Sequence, residues 1–140
     1  GLGEIGMNCG LYGYGPAKNR QWLMVDLGVA FAGEDLPGID LILPNIAFIE
    51  ERKANLAGIV LTHAHEDHYG AVADLWSRLG VPIYCTEFAA GLLEIQGDEL
   101  EAEEVVVMGK PDLVVVRGDA LGPDFAVEHR IIIRIERLPV

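Results

Sequence analysis

A short apolar segment, GIVLT at 58–62, leads directly into a polar stretch, HAHEDH at 63–68. The β-branched residues of the apolar segment, bounded by Gly58, predict a buried strand. The polar stretch holds three of the chain's four histidines together with Glu66 and Asp67. Imidazoles and carboxylates gathered at a strand end are typical of a functional site. We therefore expect a fold in which the end of this strand forms part of that site.

The spacing of these side chains predicts a metal site. Side chains alternate along an extended segment, so His63 and His65 point the same way and can bind one ion together. Asp67 and His68 follow where the chain turns into a helix, and they can face a neighbouring ion position. Neutral imidazole and carboxylate oxygen are ordinary zinc ligands at about 2.0–2.2 Å, and iron or manganese is less favoured. The alternative is a polar loop that merely collects histidines.

The remaining pattern predicts an α/β fold. Three short apolar runs predict neighbouring, mostly parallel strands of one sheet, at 22–26, 58–62 and 81–85. Helical patterns alternate with these runs, at 46–56, 67–79 and 86–96. The glycine-rich opening, residues 1–16, predicts turns and contains no phosphate-binding glycine motif. Three β-branched runs after residue 104 predict further strands, in antiparallel hairpins.

Length and charge restrict the function classes. A chain of 140 residues with 51% hydrophobic residues predicts one domain with an apolar core. No apolar run reaches the roughly 18 residues of a membrane span, and no signal-peptide pattern is found. Two cysteines without a secretory signal indicate reduced thiols in the cytoplasm. The net charge of −12 argues mildly against nucleic acid as a partner.

Several stretches of the chain carry a family resemblance. THAHEDH at 62–68 matches the HxHxDH motif of the metallo-β-lactamase fold. GEIGMN at 3–8 and PGIDLILPN at 37–45 narrow the match, because together they resemble the ribonuclease J family. In that family a metallo-β-lactamase domain is joined to a β-CASP domain and acts on RNA. The resemblance is dense to about residue 95 and thin over 97–140, and it implies a partial metallo-β-lactamase-like αββα half with a mixed sheet.

The resemblance also implies roles for individual residues. His63 and His65 would bind a first zinc ion, and Asp67 and His68 a second. Asp67 would in addition help to orient the attacking nucleophile, which makes it the candidate catalytic residue. Asp26, at the end of the strand WLMVD, would orient a ligand histidine. The alternative for Asp26 is an acidic residue that caps a turn.

The chain departs from the family pattern after residue 128. The family needs a further histidine, a bridging aspartate and a distant last histidine, and the only histidine left here is His129. His129 lies within an apolar run and earlier than the family's ligand, so we expect a structural role. The expectation is an N-terminal fragment of a zinc-dependent ribonuclease that is inactive alone.

Three further expectations follow from this interpretation. The metal sites, incomplete in this chain, would hold Zn²⁺, with Mn²⁺ or Mg²⁺ as alternatives. The partner is RNA and not a membrane, and an uncovered sheet edge leaves homo-oligomers open. A thioesterase or lactam hydrolase of the same fold, or a non-catalytic metal-binding remnant, are the competing functions.

Overall fold

The computed structural model describes residues 5–96 and 105–108. The helices and strands are, in chain order, β1 (Gly10–Tyr14), β2 (Gln21–Val25), β3 (Ala30–Phe31), β4 (Leu41–Ile42), α1 (Ala47–Glu50), β5 (Leu56–Val60), α2 (Glu66–Tyr69), α3 (Val72–Leu79), β6 (Ile83–Cys85), α4 (Glu87–Gln96) and β7 (Val105–Val107). Short 3-10 turns at Ala17–Asn19 and Lys53–Asn55 precede β2 and β5.

One sheet organises the described residues, with strand order β1-β2-β5-β6-β7. β1 runs antiparallel to β2, whereas β2, β5, β6 and β7 are parallel to one another. The three neighbouring strands predicted at 22–26, 58–62 and 81–85 are therefore confirmed as β2, β5 and β6. An α/β fold with a mixed sheet and helices is also confirmed. β3 and β4 form a separate antiparallel pair.

The core joins the parallel strands to one face of α3. Leu75, Trp76 and Leu79 of α3 are buried, and they belong to one apolar cluster with Ile59 of β5 and Ile83 of β6. Burying a side chain of this size contributes about 1.5–3 kcal/mol. The Trp76 indole also donates a hydrogen bond to the carbonyl of Val81, at 2.7 Å, so its polar atom is satisfied inside the core.

The helix predicted over 46–56 is shorter than expected. α1 ends at Glu50, and a 3-10 turn replaces its second half. The Arg52 guanidinium donates to the carbonyl of Phe48, at 2.7 Å, while the Arg52 backbone N–H donates to Ile49. The Phe48 carbonyl, which an α-helix would pair with the Arg52 N–H, accepts from the Arg52 side chain, and the backbone here has the i−3 bonding of a 3-10 turn.

The helical pattern over 67–79 forms two helices, α2 and α3. The interruption falls at Ala71, whose N–H donates to the carbonyl of Leu27, at 3.0 Å, in the loop after β2. A tertiary bond therefore replaces a helical one. The predicted end of this pattern at residue 79 is confirmed: Gly80, which follows it, has a left-handed φ of 60°, and its N–H donates to the carbonyl of Trp76.

The ends of the chain give mixed outcomes. The prediction of turns over 1–16 was wrong for Gly10–Tyr14, which form β1 because they pair with β2 along their whole length. The strand predicted from the first β-branched run, 104–108, is confirmed as β7, but among the described residues it pairs with β6 in parallel and not in an antiparallel hairpin; the later runs lie outside the described residues. The single domain over 1–140 stays a prediction. Within the described ranges, no helix is both long and apolar enough to cross a lipid bilayer.

Burial of Cys85 in β6 leads to a pH-dependent stability. Burial raises the pKa of the Cys85 thiol from 9.0 to about 11. Well below pH 9 the thiol is neutral in both states, but between about pH 9 and 11 it ionises mainly in the unfolded chain, which lowers the free energy of unfolding. Urea titrations should show wild type losing its advantage over Cys85→Ala across this range. A pH-independent difference would contradict the burial of the thiol.

Candidate metal centre

The site lies where β2 and β5 end. Because these strands are parallel neighbours, their carboxyl ends lie side by side. Asp26 follows β2 directly, and its N–H donates to the carbonyl of Val60, the last residue of β5, at 2.8 Å. The histidine segment starts three residues after Val60. The sheet therefore brings Asp26 to the segment 63–68, as the sequence predicted.

Asp26 is the polar anchor of this strand end. It is 5% exposed and has a left-handed φ of 63°, a conformation that aspartate tolerates better than most residues. Its Oδ1 accepts hydrogen bonds from the N–H of Thr62, at 2.8 Å, and from the Thr62 hydroxyl, at 3.0 Å. Its Oδ2 lies 2.8 Å from Nδ1 of His68. The buried carboxylate therefore connects Thr62, which precedes the first histidine of the motif, to His68, the last one.

These contacts favour one tautomer of each ring. An ionised carboxylate only accepts hydrogen bonds, so His68 carries its hydrogen on Nδ1 and leaves a lone pair on Nε2. The Thr62 hydroxyl has one hydrogen, which it donates to Asp26. Nδ1 of His63 lies 3.0 Å from the same hydroxyl oxygen, which favours the tautomer in which Nδ1 donates to it. His63 is left with a lone pair on Nε2.

His63 and His65 form the first pair of potential metal ligands, called a donor pair here because both side chains could donate electron pairs to an ion. Nε2 of His63 lies 3.1 Å from Nδ1 of His65, and the two ring centroids are 4.6 Å apart. The His68 ring packs beside His63, with centroids 3.9 Å apart. Burial, and then the neighbouring His68 and His65, lower the pKa of His63. A lowered pKa favours neutral imidazole, which is the form that binds metal ions.

Asp67 and His68 form the second pair. Oδ2 of Asp67 lies 3.4 Å from Nε2 of His68, the nitrogen that carries the lone pair. The loop after β2 holds this pair in place, because Leu27 and Val29 donate their N–H groups to the carbonyls of His68 and Glu66, at 2.7 and 3.0 Å. Both side chains are partly exposed, at 29% and 21%, so an ion can reach them.

The two pairs can be compared with the geometry of a bound ion. Two ligand atoms at about 2.0–2.1 Å from a tetrahedral zinc lie about 3.3 Å apart. The 3.4 Å between Oδ2 of Asp67 and Nε2 of His68 is close to this value, whereas the 3.1 Å between Nε2 of His63 and Nδ1 of His65 is the length of a hydrogen bond in the ion-free site. In the described part of the chain, however, no group of three or more His, Cys, Asp or Glu residues is placed to hold one ion. Each pair alone supplies two potential ligands.

A comparison with known protein families identifies the superfamily of this chain. Residues 3–132 match the Metallo-beta-lactamase superfamily. The chain belongs to this superfamily. Metal ions are generally bound by its members, which agrees with the donor pairs at 63–68. His129, the fourth histidine, lies outside the described residues.

Three curated relatives indicate which branch of the metallo-β-lactamase superfamily this chain resembles, and each is named Ribonuclease J. The protein of Sinorhizobium meliloti (strain Sm2011 / Rm2011 / 2011) is 63% identical over 94 residues, which are 67% of this chain and 17% of that protein. The protein of Helicobacter pylori (strain ATCC 700392 / 26695) is 37% identical over 99 residues, which are 71% of this chain and 14% of that protein. The protein of Mycobacterium tuberculosis (strain ATCC 25618 / H37Rv) is 34% identical over 130 residues, which are 92% of this chain and 23% of that protein. The chain thus spans less than a quarter of these relatives, and its resemblance to ribonuclease J is confirmed.

Two residues of the site escaped the sequence analysis. Thr62 directly precedes the first histidine, and its hydroxyl joins Asp26 to His63. Asn8 ends the stretch GEIGMN, and its side-chain amide contacts Asp67 and His68. A threonine before the first histidine is a local signal that could have been used. Asn8 is 59 residues from Asp67, and no sequence spacing predicts their contact.

Proposed function

We propose that this chain supplies part of the metal centre of a ribonuclease J-like hydrolase that cleaves RNA phosphodiester bonds. One observation carries the proposal: two donor pairs, His63 with His65 and Asp67 with His68, lie together at the end of β5. The contacts of the buried Asp26 carboxylate and of Thr62 with the Nδ1 atoms of His68 and His63 favour lone pairs on Nε2 of both rings.

His63 and His65 would hold one ion, and Asp67 and His68 the other. Zinc suits these nitrogen and oxygen donors, and Mn²⁺ or Mg²⁺ are the alternatives to be tested. Paired metal ions lower the pKa of water and stabilise charge on a scissile phosphate. Asp67 would also accept a hydrogen bond from the attacking nucleophile and so orient it. Asp26 would keep the proton of His68 on Nδ1, leaving Nε2 for the ion.

RNA is the substrate that the comparisons favour. The relatives matched over 67–92% of this chain carry the name Ribonuclease J. A thioesterase or lactam hydrolase would agree better with the net charge of −12, but a charge summed over the chain says little about a site where cations neutralise phosphate. The two free thiols, Cys9 and Cys85, agree with a place in the reducing cytoplasm.

The isolated chain should be inactive. Catalytic zinc usually has three protein ligands and a water molecule, whereas each ion position here has two donors from the described residues. We expect the 140-residue chain to cleave a 5′-labelled RNA no faster than its His65→Ala variant, in buffers with zinc or manganese. Metal-dependent cleavage by the chain that is lost in His65→Ala would contradict the expected inactivity.

A chimera tests the function itself. The matching 94 residues of the Sinorhizobium meliloti relative would be replaced by those of this chain, which are 63% identical. We expect the chimera to cleave RNA, His65→Ala to abolish cleavage, and Asp74→Ala to leave it unchanged, because Asp74 is an exposed carboxylate of α3 outside the donor pairs. A folded chimera without ribonuclease activity, or one unaffected by His65→Ala, would refute the proposed function.

A further inference from the structure

Asn8 meets the second donor pair from outside the histidine motif. Its side-chain nitrogen Nδ2 lies 3.1 Å from Oδ2 of Asp67 and 3.1 Å from the Asp67 carbonyl oxygen. The same nitrogen lies 3.1 Å from Nε2 of His68. An amide nitrogen carries two hydrogens and accepts none, so the three partners act as acceptors and share two hydrogens, one of them in a three-centre bond. Two of these three acceptors belong to Asp67.

The Asn8 amide offsets the electrostatic repulsion between the acceptor atoms of Asp67 and His68. Oδ2 of Asp67 and Nε2 of His68 both present lone pairs and lie 3.4 Å apart. Two acceptors at this distance repel each other unless a donor or a cation bridges them. The Asn8 amide is equidistant from both and supplies the bridge. Without it, the 29% exposed Asp67 carboxylate would be free to rotate toward water.

Backbone bonds fix the bridge in place. The Asn8 N–H donates to the carbonyl of Asp67, at 2.9 Å, and the Asn8 carbonyl accepts from Gly28, at 2.9 Å. These bonds do not involve the side chain, so they remain when the amide is replaced. Substitution of Asn8 therefore separates the role of the amide from the role of the backbone.

We propose that Asn8 is a positioning residue, whose side-chain amide locks the Asp67 carboxylate beside His68 so that both lone pairs converge on one cation. When a cation takes the Nε2 lone pair, the amide keeps its two bonds to Asp67 and holds that ligand in register. The part of this inference that concerns cations rests on the proposed function, whereas the locked rotamer does not.

NMR of the cation-free chain tests the lock directly. In wild type, ³J couplings should show a single χ1 rotamer of Asp67, and the Asn8 amide hydrogens should exchange slowly with water. Asn8→Ala should give averaged couplings at Asp67. Asn8→Asp, which keeps the shape but puts an acceptor against Asp67, should do the same and serves if Asn8→Ala does not fold. Asn55→Ala is the matched control, because Asn55 donates to a backbone carbonyl away from the site.

Calorimetric titration with Zn²⁺ or Mn²⁺ tests the consequence. We expect Asn8→Ala to bind about tenfold more weakly than wild type, as for other residues that orient metal ligands, and Asn55→Ala to bind like wild type. Averaged Asp67 couplings in wild type, or equal couplings in wild type and both Asn8 variants, would overturn the inference. Equal or tighter cation binding by Asn8→Ala would overturn it too. A wild-type chain that binds no cation would count against the proposed function, while the NMR result still decides the role of Asn8.

Discussion

Gly28→Ala is expected to lower the free energy of unfolding by about 3 kcal/mol or more, because the loop after β2 has no room for a side chain. A Cβ on Gly28 would overlap the carbonyl group of Asp67. To relieve the overlap, the loop must move away from α2. That movement breaks the bonds from Leu27 to His68 and from Val29 to Glu66, each worth about 1 kcal/mol.

Gly91→Ala provides the matched control. Gly91 lies within α4, and a Cβ there would meet no atom within 4 Å. Alanine should therefore stabilise the helix by about 0.5–1 kcal/mol. Urea titrations of both variants measure the contrast, and cation binding should fall only in Gly28→Ala, because only that change displaces Asp67 and His68. Similar free energies of unfolding for the two variants would mean that the loop does not pack against α2 as described.

The local part of the site could be predicted from the sequence. His63, His65, Asp67 and His68 are close in the chain, so the period of a strand and the turn into a helix suffice to bring them together. Asp26 could be predicted because parallel strands align their carboxyl ends. In both cases, short-range geometry and the alternation of strands and helices carry the information.

The contacts between distant segments could not be predicted. Asn8, Gly28 and Asp67 meet only because β1 adds to the sheet beside β2, and the glycine-rich sequence of β1 resembles a series of turns. The break between α2 and α3 has the same origin, since the Ala71 N–H bonds to Leu27 instead of to its own helix. Where a tertiary hydrogen bond replaces a local one, periodicity alone predicts the wrong boundary.

Asp26 offers the clearest separation of stability from metal binding. Asp26→Ala removes the acceptor of the Thr62 N–H and of the His68 Nδ1–H, and it forces alanine into a left-handed φ of 63°. An unsatisfied buried donor costs about 1–3 kcal/mol, and the left-handed backbone about 1–2 kcal/mol. We expect the free energy of unfolding to fall by about 3 kcal/mol, measured by urea titration, and cation binding to be lost.

Asp26→Asn should leave the fold nearly intact but change the tautomer of His68. Asparagine tolerates the left-handed backbone, and its carbonyl can still accept from Thr62, so we expect a loss of about 1 kcal/mol or less. Its NH₂ group, however, would face Nδ1 of His68 and donate to it, which moves the ring hydrogen to Nε2. Nε2 would then have no lone pair for an ion, and cation affinity should fall about 10–100-fold. ¹⁵N shifts of the His68 ring report the tautomer, and a hydrogen still on Nδ1 together with unchanged affinity would show that Asp26 does not orient His68.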